Sequence, residues 1–170
     1  MDKDKTPPLP AYRVGHGYDV HRFGEGESIL LAGVKIPYHH GFIAHSDGDV
    51  LIHSLCDALL GSIAEGDIGQ HFPDTDDQYK NIDSRILLKQ CDEILKSNSF
   101  AIVNIDVTII AQSPKMSPYI RAMRQQLSEV LNISIAQINI KATTTEKLGF
   151  TGREEGIAVH TVVMVYINTD

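Results

Sequence analysis

Apolar and polar positions alternate with period two along several stretches of the chain, and each such stretch predicts a strand. Residues 12–20 are the first, and residues 29–36 read as a short hairpin folding around Ala32-Gly33. Within residues 103–110, Val103, Ile105, Val107 and Ile109 alternate with Asn104, Asp106 and Thr108. Residues 138–142 and 157–167 supply the remaining strands, the last apolar on both faces. Such a strand must be covered twice. Helices serve for one side, and a subunit interface is the natural cover for the other.

Helical periodicity appears three times. Residues 48–64 carry Ile52, Leu55, Leu59 and Ile63 on one stripe, after Ser46-Asp47, either of which could cap the helix. Residues 84–97 follow Asp83 as a cap, and residues 118–131 place Pro118 in the first turn behind Ser117 as a cap. The order predicts an α+β single domain: a mixed four-stranded sheet covered by helices on one face, plus a small hairpin.

Composition narrows the function more than the fold. The 170 residues are 42% hydrophobic and 22% charged, the balance of one ordinary globular domain. Asp and Glu number 22 against 15 Lys and Arg, a net charge of -7 that argues against a nucleic-acid partner. No apolar run approaches the roughly 20 residues of a membrane helix, so no membrane role is expected. Cys56 and Cys91 lie in apolar helical patterns and read as reduced core thiols of a cytoplasmic, bacterial-type protein. Residues 1–11, charged and Pro-rich with no apolar stretch behind them, predict a disordered tail before one domain over residues 12–170.

Candidate chemistry begins at Asp19-Val20-His21. On a strand, Asp19 and His21 share a face, so a carboxylate and an imidazole can grip one cation. His53 lies on the first helix, with Asp57 one turn further on the same face. Two strand ligands and one helix ligand leave a fourth position open, the arrangement of a catalytic zinc site; two solvated surface residues are the plainer alternative. The run Ala44-His45-Ser46-Asp47-Gly48-Asp49 reads as a capping loop or as a flexible loop over a pocket, with Ser46 and Asp47 reaching sugar-like hydroxyls. Gly66-Asp67-Ile68-Gly69 and the Phe72-Pro73-Asp74-Thr75-Asp76 run form a long turn-rich loop. In Lys141-Ala142-Thr143-Thr144-Thr145-Glu146-Lys147 the threonines could donate to phosphate oxygens, and Glu146 could hold a hard cation; a capping box is the alternative. Ala111-Gln112-Ser113-Pro114-Lys115-Met116 ends a buried strand and could present fixed backbone groups to a planar base.

Five segments in this order, GHGYDVHRF, AHSDGDVLIH, GDIG with FPDTD, DVTIIAQSPKM and KATTTEKLGFTGREEGI, resemble the 2-C-methyl-D-erythritol 2,4-cyclodiphosphate synthase family from Arg13 to Ile167. The resemblance implies that Asp19, His21 and His53 are zinc ligands and that Glu146 holds a second divalent cation, magnesium or manganese. It implies His45, Ser46, Asp47, Asp67 and Gly69 beside the erythritol, and Ala111, Pro114, Lys115 and Met116 around the cytosine. Ala142, Thr143 and Thr144 are implied near base and phosphates, and Phe150 and Arg153 join the ligand-contacting positions. Asp57, Glu146 and Thr144 are the implied catalytic set. A homotrimer is implied too, joined through the uncovered sheet face with active sites between subunits. Arg153 and Glu155 then lie near its axis, where some members hold an isoprenoid diphosphate or another anion. Two departures are local: Ser117 stands where a leucine is expected, and Glu154 makes the turn before Glu155 more acidic.

The implied reaction is that of a phosphorus-oxygen lyase. In 4-diphosphocytidyl-2-C-methyl-D-erythritol 2-phosphate, the 2-phosphate attacks the outer phosphorus of the diphosphate and CMP leaves. The nucleophile is already an anion, which accounts for the absence of an activated Ser or Cys. Read without the family, the same residues fit a zinc-dependent phosphohydrolase of a small phosphorylated metabolite with Asp57 as base, or a trimeric carrier of a small ligand.

Overall fold

The computed structural model describes residues 11–44, 46–73, 76, 79 and 82–168. The expected tail therefore lies outside the described residues except for Ala11, whose carbonyl accepts from the Ile167 N–H at 2.9 Å. The strands are β1 (Tyr12–Gly24), β2 (Ser28–Leu31), β3 (Val34–Pro37), β4 (Gly41–Phe42), β5 (Phe100–Ile110), β6 (Ile138–Thr143) and β7 (Gly156–Ile167). The helices are α1 (Val50–Ser62), α2 (Ile68–His71), α3 (Ser84–Ser97), α4 (Ile120–Leu131) and α5 (Gly149–Gly152). No helix among the described residues is long and apolar enough to cross a membrane.

The α+β architecture is as expected, with one correction: the sheet has five strands, not four, in the order β4-β1-β7-β5-β6. Only β5 and β6 pair in parallel. The added strand, β4, is two residues long and pairs with Phe23 and Gly24, beyond the predicted end of β1. Two residues carry no periodicity, and His21-Arg22 interrupts the apolar alternation that would have extended β1. β2 and β3 form the separate hairpin, turning at Ala32 and Gly33. Both turn residues have positive φ, 49° and 72°, the backbone twist that suits a two-residue hairpin loop.

Two helix starts also differ from expectation. α1 begins at Val50, capped by Asp49 and not by Ser46 or Asp47. The Asp49 carboxylate accepts from Ala32, Gly33 and Ile52 N–H groups at 2.9, 2.7 and 3.1 Å, so one buried side chain caps the helix and ties down the hairpin turn. α4 begins at Ile120, with Tyr119 at the cap position and no side-chain cap bond; Ser117 and Pro118 sit in the turn before it.

All three long helices cover one face of the sheet: α1 lies on β1 and β7, α3 on β5, and α4 on β6. From α1, Leu51, Leu55 and Leu59 are fully buried, each stabilising the fold by about 2–3 kcal/mol. The close approach of α1 depends on two glycines. A Cβ on Gly15 would lie 1.8 Å from the Ala58 carbonyl oxygen, and one on Gly17 would lie 1.9 Å from that of Ser54. Ile157, Val159, Val163 and Val165 of β7 pack under this layer. On the opposite face Tyr12, Val14, Tyr18, Val20, Val162 and Tyr166 are exposed, Val14 at 65%. The two-sided apolar character of the last strand thus belongs to a whole sheet face that the single chain leaves uncovered.

Candidate metal centre and active site

Asp19 and His21 point from β1 toward the helix layer, on the same side as Gly15 and Gly17. Because those glycines let α1 come close, His53 reaches the same point. Asp19 Oδ2 lies 3.2 Å from His21 Nδ1 and 3.3 Å from His53 Nδ1. The remaining Asp19 oxygen, Oδ1, accepts from the Val20 N–H at 2.8 Å. The edge of the His21 ring meets Phe42 of β4 at a centroid distance of 5.7 Å, so the unpredicted strand orients a predicted ligand.

Asp19 Oδ2 and His21 Nδ1 are buried without a hydrogen-bond partner. Buried polar atoms are rarely left so, and here they converge on one point. The three residues offer ligand atoms all within 4.8 Å of one another. One carboxylate oxygen and two imidazole nitrogens suit a divalent cation of borderline softness, with a fourth position open. The electrostatics agree. Burial alone would raise the Asp19 carboxyl, but the two imidazoles overcome it and hold the group at about 2. Burial lowers the His53 imidazole, yet the Asp19 carboxylate more than compensates and leaves it above its ordinary value. Asp19 therefore keeps its negative charge.

Around this set the structure gives each expected residue a definite place. The His53 Nε2 atom faces two hydroxyls, Ser46 Oγ at 3.1 Å and Ser84 Oγ at 3.0 Å. Asp47 is held at the start of α3: its carboxylate accepts from the Ser84 N–H at 2.9 Å and the Asp49 N–H at 3.2 Å. His45, Asp74 and Thr75 lie outside the described residues. Asp57 stands one turn beyond His53, its carboxyl raised chiefly by burial and accepting from the Ile68 N–H at 2.8 Å. It thereby holds the turn carrying Asp67 and Gly69, where Asp67 caps α2 through the Gln70 N–H at 2.9 Å.

A second group lies at the other edge of the sheet. The Ala111 N–H donates to the Thr143 carbonyl at 3.0 Å, joining the loop after β5 to the end of β6. Ala111 and Met116 are buried, Pro114 is half-buried and Lys115 is exposed. The Thr144 hydroxyl donates to Glu146 Oε1 at 2.7 Å, and Glu146 and Lys147 are both left-handed, φ 52° and 67°. Gln112 Oε1 accepts from the Lys147 N–H at 3.2 Å, closing this loop pair. Arg153 is paired with Glu155 at 2.8 Å. Beside them an open depression of about 510 Å³ is lined by Val20, Arg22, Phe150, Glu155 and Gly156.

The two groups are not brought together within one chain. By register Asp19, Val159, Ile109 and Ala142 form one row across four strands. Three strand intervals make roughly 14 Å. The buried side chains of Val159 and Ile109 fill the row between.

Ser84, Asp49, Gly17 and Phe42 were not among the expected site residues. Each acts through a contact distant in sequence, and none carries a local signal beyond a helix start, a cap or a short polar run.

The model of the YgbB family matches residues 12–166. The chain is 60% identical over 153 residues to the 2-C-methyl-D-erythritol 2,4-cyclodiphosphate synthase of Ectopseudomonas mendocina, covering 90% of this chain and 98% of that one. Among solved structures, the bifunctional IspDF of Campylobacter jejuni superimposes with a TM-score of 0.89 at 49% identity, covering 92% of this chain and 42% of that longer one. The IspF of Plasmodium falciparum, solved as a CDP complex, gives 0.83 at 33% identity over 95% of this chain and 100% of that one. A match of that extent, on a fold that gathers Asp19, His21 and His53 at one point, means that the chain belongs to the YgbB family, the family of the 2-C-methyl-D-erythritol 2,4-cyclodiphosphate synthases.

Proposed function

We propose that this chain converts 4-diphosphocytidyl-2-C-methyl-D-erythritol 2-phosphate to 2-C-methyl-D-erythritol 2,4-cyclodiphosphate and CMP, a step of non-mevalonate isoprenoid precursor synthesis, acting as a phosphorus-oxygen lyase. The observation that carries the reading is the convergence of Asp19 Oδ2, His21 Nδ1 and His53 Nδ1, two of them buried and orphaned, in a chain 60% identical to such synthases.

In this reading Asp19, His21 and His53 hold zinc, and Glu146 holds magnesium or manganese. When bound, these cations supply Lewis-acid polarisation and charge neutralisation at the diphosphate. The protein's remaining work is placement, because the substrate brings its own anionic nucleophile. Thr143 and Thr144 line the phosphates at the end of β6. The Thr144 hydroxyl, donating to Glu146, sets the direction of that carboxylate. Pro114, Lys115 and the backbone at Ala111 and Met116 form the wall for the cytosine. Ser46, Asp47, Asp67 and Gly69 surround the erythritol and help exclude water, which would otherwise compete by hydrolysis. His45 joins them by resemblance, as does Asp57, whose raised carboxyl lies one turn from His53.

We assign the working unit as a homotrimer in the cytoplasm. Supporting this are the uncovered apolar sheet face and the filled row between Asp19 and Ala142, which leaves one chain unable to close the site alone. A neighbouring copy would set its Thr143–Glu146 edge against this chain's metal set. The depression beside Phe150 and Arg153 is the place for an isoprenoid diphosphate or another anion.

The test is to incubate the purified protein with the diphosphocytidyl substrate, zinc and magnesium, and to follow phosphorus NMR with and without chelator. Two coupled ring-phosphate signals and CMP, lost with chelator, are expected. Release of inorganic phosphate instead would move the assignment to a hydrolase.

A further inference from the structure

Ser84 is fully buried in the first turn of α3 and has no part in the reaction as described so far. We infer that Ser84 is the positioning residue of His53: its hydroxyl fixes a proton on His53 Nε2, leaves Nδ1 bare toward Asp19, and couples that ring to the segment carrying Asp47. The inference rests on the reading of Asp19, His21 and His53 as the metal set.

Proton accounting carries it. Ser84 Oγ donates to Asp47 Oδ1 at 2.5 Å, while the Ser84 N–H donates to Asp47 Oδ2 at 2.9 Å. A carboxylate only accepts, so the single hydroxyl hydrogen of Ser84 is committed to Asp47. The Ser84 oxygen, 3.0 Å from His53 Nε2, can then only accept from that nitrogen. Nε2 must carry the hydrogen, and in the neutral ring the lone pair is left on Nδ1, the atom 3.3 Å from Asp19 Oδ2. Ser46 Oγ, 3.1 Å from the same nitrogen, fits either tautomer, because no carboxylate among the described residues takes its hydrogen. Ser84 is therefore the group that decides. A ligating histidine ordinarily gives its second ring N–H to an oriented acceptor, and here a hydroxyl backed by a carboxylate fills that place.

The same contacts bind three elements into one unit. The Asp47 N–H donates to the Ile82 carbonyl at 3.3 Å, and its carboxylate holds both the Asp49 N–H and the start of α3. A displacement of Asp47 would pull on Ser84 and so on the metal-facing ring.

Ser84→Ala and Ser84→Thr test this. The helix start should survive both, since Asp83 caps α3 through the Arg85 N–H at 2.9 Å. In metal-free protein, at a pH high enough that the His53 ring is neutral, nitrogen-15 spectra of that ring are expected to show the Nε2–H tautomer for the natural sequence and a mixture for Ser84→Ala. Zinc affinity, measured against a competing chelator, is expected to fall roughly 10- to 100-fold in Ser84→Ala. Ser84→Thr, which keeps the hydroxyl, is expected to recover both. An unchanged tautomer and affinity in Ser84→Ala overturns the inference. So does a loss of affinity shared by Ser84→Thr with unfolding of the α3 start by hydrogen exchange, which would make the role structural. Failure of the unsubstituted protein to bind zinc refutes the metal reading instead, and the tautomer alone then decides the role of Ser84.

Discussion

Asp19 Oδ2 stands 3.3 Å from His53 Nδ1, although the two residues belong to a strand and to a helix whose close approach depends on two glycines. The carboxylate is the one permanent charge in the metal set, since its group titrates at about 2. Asp19→Asn keeps the shape and one oxygen but removes that charge. We expect zinc affinity to fall at least about tenfold, because even outer partners of metal ligands are worth that much. Elemental analysis after dialysis against a weak chelator checks it. Full zinc content in the variant would contradict the assignment.

The same pair makes metal uptake sensitive to pH. The His53 imidazole is held above its ordinary value by Asp19 despite burial, so near neutrality a proton competes with the cation for Nδ1. The sign follows: the proton must leave before the metal binds, so affinity rises with pH through the raised value and levels off above it. Asp19 is ionised throughout and adds nothing to this slope. Zinc titrations between pH 5.5 and 8 should strengthen by up to about tenfold per pH unit in the lower part of the range. A flat profile would remove His53 Nδ1 from the ligand set.

Much of this was legible in the sequence because periodicity reports burial. The alternation from Ile105 to Ile109 and the stripe Ile52, Leu55, Leu59, Ile63 both lie where they were expected, against each other's layers. At Val103 the expected phase fails: a bulge between Ile102 and Asn104 shifts the register, and Ile102 takes the buried position. Asp19, His21 and His53 were legible because period two and a helix stripe suffice to set them facing one way. What escaped depended on distance in sequence. β4 is too short to show a period, yet its Phe42 orients His21. Asp49 was passed over for Ser46 and Asp47 because all three suit a cap. Only the fold shows that Ala32 and Gly33 present their N–H groups to Asp49, and that Asp47 is taken by Ser84.

Gly17 converts this packing into a prediction. Its missing side chain lets Ser54 approach, and the Ser54 hydroxyl lies 3.2 Å from the Gly17 carbonyl and 2.8 Å from Thr161 Oγ1. In Gly17→Ala the new methyl would meet the Ser54 carbonyl oxygen at 1.9 Å, so α1 must withdraw. The cost should be about 3 kcal/mol, the upper range for overpacking a core. Because His53 is the neighbour of Ser54, zinc binding should weaken in the same variant. Calorimetry and metal analysis together test the link. A variant of natural melting temperature and full zinc content would show that the close approach does not position the metal set.

The open sheet face gives the test that separates fold from assembly. Val14 is 65% exposed in the single chain, so Val14→Glu should change the stability of an isolated chain by no more than about 0.5 kcal/mol. In a trimer closed through this face the substitution would bury three carboxylates among apolar side chains, an arrangement that strongly opposes association. Light scattering should then give a mass near the 18.8 kDa of one chain, with zinc still bound by Asp19, His21 and His53. Turnover should nevertheless vanish, because Thr144 and Glu146 of a second copy would no longer reach the metal set. A monomer with full turnover would place the whole active site within one chain. A trimer that persists in both Val14→Glu and Val162→Glu would assign assembly to another surface.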